Sequence, residues 1–587
     1  MTWIRALPAL DKRPAATSSE HSPDSFAPET GWLGRIDRVL SQPRSARTVV
    51  LWLSLYLTVA ANWPLWFELA RIGGPPSIYL PKIASMAVLV FAAALAMLSL
   101  TAWSRWMKPL WLGVVLIAAF VQHYMLSYRI VMDPTMVANV LQTDPNEARD
   151  LLGWRLVVNV LCVVALPALW LARARIARMH LWSQLWRNAL LLLAALALGG
   201  GAALTMQREL APLMRNNPQL RYMMNPAATL YSAADVALRP LFVRSRKLLP
   251  ITAGAALGPS YAAQTRPPLL VVVVGETARA DHFALNGYAR DTTPELAARH
   301  VLSWRNVHSC GTNTLASVPC MFSSLGKIAF ESRTSEYENL LDVLQASGLA
   351  VFWLDNQAGC KAVCDRVPHA AASIGLDPAV QASLCDGGEC LDEVMLKGLD
   401  ARIAAMPPER LRRGVVLVLH QMGSHGPAYY KRSPPDAKPF VPECTTSALA
   451  ECSHAQLVNV YDNSIAYTDR FLGRTIDWLR GRSGDFDTGM LYLSDHGESL
   501  GEYGLFLHGL PYAIAPEVQK HVPMVGWFSE GLTRRLDLSA GCMQAGLDAA
   551  LTHDNMYHTV LGLMDVRTPT YSGPLDMLAS CRAVPRG

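Results

Sequence analysis

Residues 268–279 read PLLVVVVGETAR, and three later stretches repeat the plan: LAVFWLDNQAGCK (349–361), GVVLVLHQMGSHG (414–426) and GMLYLSDHGES (489–499). Each is a short Val/Leu-rich run that ends in polar side chains: Glu276; Asn356 and Lys361; His420 and His425; Asp495 and His496. Continuous apolar runs suit strands buried on both faces of a largely parallel sheet. Their alternation with helical stretches marks α/β architecture. Ligands in such sheets bind outside the carboxyl ends of the strands, so four runs delivering polar groups at that end predict one constructed site. Glu276, Asp495 and His496, with His425 or His508, supply the oxygen and imidazole donors that suit Zn²⁺.

A nucleophile is expected beside them. SCGTNTLASVPCMFSSL (309–325) brings Thr312, Thr314 and Ser317 to a predicted helix start. Backbone N–H groups and the helix dipole favour a phosphate there, and a bound Zn²⁺ would lower a hydroxyl's pKa. The residues alone do not choose among the three hydroxyls, each of which would also serve as an N-cap.

Outward from this half the composition changes. The chain has 587 residues, 51% apolar and only 17% charged, against ~25% charged in soluble domains. That excludes a disordered chain, and the length excludes a small disulfide scaffold. Residues 1–210 hold 19 Lys and Arg against 11 Asp and Glu, whereas the remaining 377 hold 33 against 36. Cys162 alone lies in the first part, and ten cysteines lie between Cys310 and Cys581.

Five apolar runs, 49–69, 77–100, 109–128, 154–172 and 188–206, each approach the ~20 residues that cross a bilayer as a helix. Lys and Arg are retained on the cytoplasmic side. Arg35, Arg38, Arg44 and Arg47 precede the first run, Arg105 and Lys108 follow the second, and Arg173, Arg175, Arg178 and Arg187 follow the fourth. The expected topology is N-in and C-out. The first thirty residues lack an apolar h-region and read as a cytoplasmic tail, not a cleaved signal peptide. In an oxidising compartment the ten cysteines predict five disulfides: the close pairs Cys310–Cys320, Cys360–Cys364, Cys385–Cys390 and Cys444–Cys452, with Cys542 and Cys581 left over for each other.

The expected organisation is therefore a polar cytoplasmic tail (1–45), a five-helix transmembrane domain (46–207), bridging amphipathic helices with a linker (208–267), and an α/β catalytic domain outside the cytoplasm (268–587). The bridge has apolar spacing suited to a membrane surface and ends in two prolines.

VVVVGETARADHFALNGYARDTTPEL (271–296), SCGTNTLASVPCMFS (309–323), HQMGSHGPAYYKR (420–432), YDNSIAYTD (461–469) and SDHGESLGEYGLFLHGLPYAIAP (494–516) resemble the phosphoethanolamine transferases that modify lipid A. These include the mobile colistin-resistance enzymes and belong to the alkaline-phosphatase/sulfatase superfamily. The resemblance implies a sulfatase-like catalytic fold behind a five-helix membrane domain in the Gram-negative inner membrane, with the catalytic domain in the periplasm. It implies that Glu276, Thr314, Asp495 and His496 hold Zn²⁺ and that Thr314 is the nucleophile. Lys361, His425 and His508 match residues that bind the phosphoethanolamine group or a second Zn²⁺ and assist proton transfer. MVANVLQTDPNEA (136–148) is similar to the family's donor-binding segment. Asn139, Thr143 and Glu147 there are four apart and would share one face of a helix, where Glu147 could meet the donor's ammonium.

The implied reaction moves phosphoethanolamine from phosphatidylethanolamine to a phosphate of lipid A through phosphothreonine, weakening the binding of polymyxins and other cationic peptides. The expected partners are these lipids and no nucleic acid, with the chain a monomer. Alternatives are transfer to a lipopolysaccharide core acceptor, or a related phosphoglycerol transferase or phosphatase. A sulfatase would need a C-x-P-x-R-like string, and none occurs. A transporter would place ionisable groups inside the spans, which are nearly free of them.

Overall fold

The structure, a computed structural model, describes residues 42–72, 76–143, 145–205, 213–242, 247–262, 264–386 and 388–583. Residues 1–41 of the expected tail and residues 208–212, 243–246 and 263 of the expected bridge lie outside that set.

The apolar runs form helices α1 (Ala46–Ala60), α2 (Trp63–Ile72), α3 (Pro76–Ser99), α4 (Lys108–Tyr128), α7 (Trp154–Arg173) and α8 (Leu181–Thr205). Four are long and apolar enough to cross a membrane, and α1 with α2 makes a fifth candidate bent by 45°. The run 49–69 is thus not one straight helix. Pro64 removes a backbone donor and crowds the preceding turn. Asn62 occupies the bend, donating to Leu57 O (2.9 Å) and Asn225 O (2.6 Å). Asn225 returns its N–H to Asn62 Oδ1 at 2.8 Å, tying the bridge to the bend. Trp52, Trp154, Trp182 and Leu204 are exposed around this bundle, an apolar surface suited to lipid.

The outer loop departs from expectation. Residues 134–150 form two helices, α5 (Pro134–Leu141) and α6 (Pro145–Asp150). Asn139 and Thr143 therefore share no continuous helix with Glu147. Pro145 is the physical cause, since it cannot donate and disfavours the α region for the residue before it. The side chain of Glu147 lies outside the described residues. Bridge helix α9 (Ala227–Phe242) packs on α5.

The catalytic half is built on β1 (Pro268–Gly275), β2 (Leu302–Trp304), β3 (Ala350–Asp355), β4 (His369–Ala371), β5 (Val415–His420), β6 (Asp487–Ser494) and β7 (Met524–Phe528). The sheet order is β4-β3-β5-β1-β6-β7-β2. Strands β4 to β6 run parallel, and β7 is antiparallel to both β6 and β2. Every β1 residue is buried because successive side chains point to opposite faces and both faces are covered. Val271 and Val273 belong to one core with Val460, Tyr461 and Ile465 of α11 (His454–Arg480). Val272 and Val274 belong to the opposite core, with Met556 and Val560 of α12 (Asp554–Leu563). Each such side chain contributes roughly 1.5–3 kcal/mol by burial. The cysteines form five bonds: Cys310–Cys320, Cys360–Cys364, Cys385–Cys390, Cys444–Cys452 and Cys542–Cys581.

Candidate active site

β1 and β6 are neighbours in register, with Gly275 opposite Ser494, so the residues after them, Glu276 and Asp495–His496, emerge side by side. Asp495 N–H donates to Gly275 O (2.9 Å), and Thr277 N–H, donating to Asp495 Oδ1 (3.2 Å), fixes the second carboxylate against the first. Gly423, at φ +53, lets the loop after β5 approach, since a Cβ there would lie 2.6 Å from Glu276 O.

Glu276, Asp495 and His496 are fully buried. His496 Nδ1 lies 2.9 Å from Gly497 O, which assigns its proton to that side and turns Nε2 toward Glu276 Oε1 (3.3 Å) and Asp495 Oδ2 (3.4 Å). Among the described residues, Asp495 Oδ2 and His496 Nε2 have no hydrogen-bond partner. One ligand atom from each of the three lies within 4.8 Å of the others. Two carboxylates and an imidazole with orphaned, converging atoms fit a cation such as Zn²⁺. The electrostatics show two buried carboxylates that call for positive charge between them. Burial opposes the charge on Glu276, yet His496 holds its carboxyl well below the usual range. Burial and the neighbouring Glu276 push Asp495 up to about 7. Burial would lower His496, but Asp495 and Glu276 raise it to about 10.

The segment expected to supply a nucleophile forms α10 (Thr314–Met321), capped by Asn313, whose side chain accepts Ala316 N–H at 3.0 Å. Thr312 Oγ1 donates to Leu510 O (2.6 Å) and Ser317 Oγ to Asp495 O (2.5 Å). Thr314 Oγ1 instead lies 3.3 and 3.2 Å from the two Glu276 oxygens. Of the three hydroxyls the sequence left open, Thr314 is the one on the carboxylate cluster.

The His508 ring lies 4.3 Å from that of His496, tilted to it, and 5.5 Å from that of His425, edge-on, centroid to centroid. Burial and then His496 push its imidazole down to about 3. Lys361 keeps Nζ on Ala358 O at 2.8 Å, and no hydrogen bond among the described residues joins it to the cluster. His420 pairs with Asp355 at 3.0 Å, and Asn356 donates to Asp392 at 2.8 Å; both support the strand ends. Asn139 and Thr143 stand on the outer loop, where Thr143 Oγ1 donates to Asn139 O at 3.0 Å.

Sequence reasoning missed Glu498 and Tyr429. Glu498 is fully buried, raised to about 8 by burial, accepts Tyr429 Oη at 2.8 Å and stands 3.3 Å from His508 Nδ1. Its signal was its place within SDHGES, two residues after His496. Arg432 was also missed. Nearly buried, it donates from Nε to His425 O (2.8 Å) and pairs with Glu389 at 3.0 Å. Its neighbour Lys431 pairs with Asp150 of the outer loop.

A family model described as sulfatase matches residues 268–566, and one described as phosphoethanolamine transferase EptA/EptB matches residues 90–241. The chain is 36% identical over 564 residues to the phosphoethanolamine transferase EptA of Escherichia coli K12, covering 94% of this chain and 100% of that protein. It is 36% identical over 521 residues to the phosphatidylethanolamine transferase Mcr-1 of Escherichia coli, covering 88% and 94%. The solved integral membrane lipooligosaccharide phosphoethanolamine transferase A of Neisseria meningitidis has a TM-score of 0.85 at 32% identity, covering 91% of this chain and 98% of its own.

Proposed function

Because this chain belongs to the EptA/Mcr-like phosphoethanolamine transferases, with their sulfatase-type domain, we propose that it moves phosphoethanolamine from phosphatidylethanolamine to a phosphate of lipid A through a phosphothreonine at Thr314. What carries this reading is the meeting of Thr314 Oγ1 with the buried Glu276, Asp495 and His496 beyond the strand ends.

Thr314 Oγ1 attacks the donor phosphorus, its proton leaves toward the Glu276 oxygens beside it, and the diacylglycerol oxygen departs. Zn²⁺, held by Glu276, Asp495, His496 and Thr314, would acidify the threonine hydroxyl and draw charge from the phosphoryl oxygens. His425 and His508 orient the transferred group, and His425 assists proton transfer to the departing oxygen. Lys361 swings from Ala358 to the phosphoryl group, adding positive charge where negative charge develops. A lipid A phosphate oxygen then attacks the phosphothreonine phosphorus and gives its proton to His425, while the bond from phosphorus to Thr314 Oγ1 breaks and the proton held at Glu276 returns to Thr314. Asn139, Thr143 and Glu147 on the outer loop receive the donor's ethanolamine.

The reading includes the N-in topology, with residues 1–45 in the cytoplasm, 46–207 in the membrane, 208–267 as the bridge and 268–587 in the periplasm. A cavity of about 670 Å³ supports a lipid substrate. Trp63, Phe67 and Leu126 of the membrane helices line it together with Leu505, Leu510 and Ile514 of the catalytic half. Holding the site at the membrane surface makes encounter with both lipids local. Masking lipid A phosphates with ammonium groups would weaken polymyxin binding. The test is the mass spectrum of lipid A from a Gram-negative host expressing the wild type or Thr314→Ala. Added phosphoethanolamine with the wild type alone is expected; none with the wild type, or equal addition with Thr314→Ala, overturns the reading.

A further inference from the structure

His553 is fully buried immediately before α12 and has no part in the chemistry above. Its ring nevertheless spans the two halves of the site. Nδ1 lies 3.0 Å from the backbone nitrogen of Cys310, four residues before Thr314, and 3.2 Å from Ser317 Oγ. Nε2 lies 3.0 Å from the carbonyl oxygen of Ser494, the residue before Asp495. A backbone N–H only donates and a carbonyl only accepts, so both bonds require a neutral imidazole with its proton on Nε2. The other tautomer would face N–H with N–H at Cys310 and lone pair with lone pair at Ser494.

Ser317 makes a second tie across the same gap. Its Oγ donates to Asp495 O at 2.5 Å and accepts Gly311 N–H at 3.3 Å, one helical turn beyond Thr314. Asp554 extends the contact, accepting Lys327 N–H at 2.8 Å. Thr314 thus reaches the carboxylate cluster from a short helix whose place relative to β6 is held by these side chains.

We propose that His553 and Ser317 are positioning residues that fix α10 against the end of β6, and so set the separation between Thr314 Oγ1 and the cation site. This rests on the transfer reading above. Partners behind metal ligands are typically worth about 10- to 100-fold in metal affinity or activity, and a misplacement of about 1 Å costs on the order of 100-fold in rate.

The test uses the full chain in detergent. His553→Asn keeps an oxygen for Cys310 and gives up Ser494, His553→Gln reaches Ser494 and gives up Cys310, and Ser317→Ala removes the second tie. For each, Tm, zinc affinity by chelator competition, and kcat and KM for transfer from a fluorescent phosphatidylethanolamine are measured. The expected result is kcat lowered about 10- to 100-fold with donor KM within about threefold, and zinc affinity lowered about tenfold. A folded His553→Asn or Ser317→Ala with wild-type kcat and zinc affinity overturns the proposal, whatever its Tm. If neither His553 variant folds, Ser317→Ala decides by the same criterion. If the wild type transfers nothing, the functional reading falls, while zinc affinity still judges the brace.

Discussion

Thr314 Oγ1 stands 3.2 Å from one oxygen of Glu276 and 3.3 Å from the other, across 38 residues of chain. A hydroxyl has one proton, so it cannot satisfy both oxygens at once, and its remaining lone pair faces a cluster built for a cation. Thr314→Ala should therefore abolish transfer, by about 10³-fold or more, the scale seen when a covalent nucleophile is removed. Thr314→Ser keeps the oxygen and should retain measurable turnover. Single-turnover assays with a fluorescent donor distinguish them, and equal loss in both variants would argue against nucleophilic attack.

Removing the metal should destabilise the protein. A ligand present at 100 times its Kd stabilises the native state by about 2.7 kcal/mol, which for a domain of this size corresponds to roughly 4 °C in Tm. Chelation should lower the wild-type Tm by that order and leave Asp495→Asn almost unmoved. A wild-type Tm indifferent to chelator sinks the assignment of Glu276, Asp495 and His496 as ligands.

The contact between outer loop and catalytic half offers an internal control. Lys431 is more than a third exposed where it meets Asp150, so Lys431→Ala should cost under about 1 kcal/mol. Arg432 is nearly buried between Glu389 and the His425 carbonyl. Arg432→Ala leaves the largely covered Glu389 carboxylate without its partner and should cost about 3 kcal/mol. Denaturant melts of the two variants rank them, and similar losses would contradict this account.

Asp469 provides a pH signature away from the site. Burial pushes its carboxyl up to about 7, against the Leu296 and Glu295 N–H groups it accepts. A carboxyl raised in the native state holds an extra proton there between roughly pH 4 and 7. Its contribution to stability is therefore largest at low pH and declines as pH rises through that window, by up to about 1.4 kcal/mol per unit. Asp469→Asn cannot titrate, so wild-type stability relative to this variant should fall from pH 4.5 to 7 and then level off. A constant difference across the range counts against the raised carboxyl.

The disulfides should rank by the loop they close. Cys542–Cys581 spans 39 residues and Cys385–Cys390 only 5. Chain entropy predicts losses of about 4 and about 2 kcal/mol on replacing each pair with serine. Thermal melts without and with reductant check the order, and an inverted ranking rejects the entropic explanation.

Apolar pattern and local chemistry were enough, in the sequence alone, for the strands, the membrane helices and the family. A strand covered on both faces must read as a continuous apolar run, as Leu269–Val274 does, and a helix in lipid must be apolar for about 20 residues. The motifs around Glu276 and Asp495–His496 were legible because each donor is adjacent to the end of its own strand. The tertiary structure decided what depends on distant partners or on a single backbone break. It bent the first span at Asn62 and Pro64, and it divided the outer loop before Pro145. It sent the hydroxyls of Thr312 and Ser317 to the carbonyls of Leu510 and Asp495 and left Thr314 on Glu276. It also brought His553 between Cys310 and Ser494, contacts 243 and 59 residues away. Such choices follow from how helices and sheet pack together, a sum over the whole domain that no local pattern records.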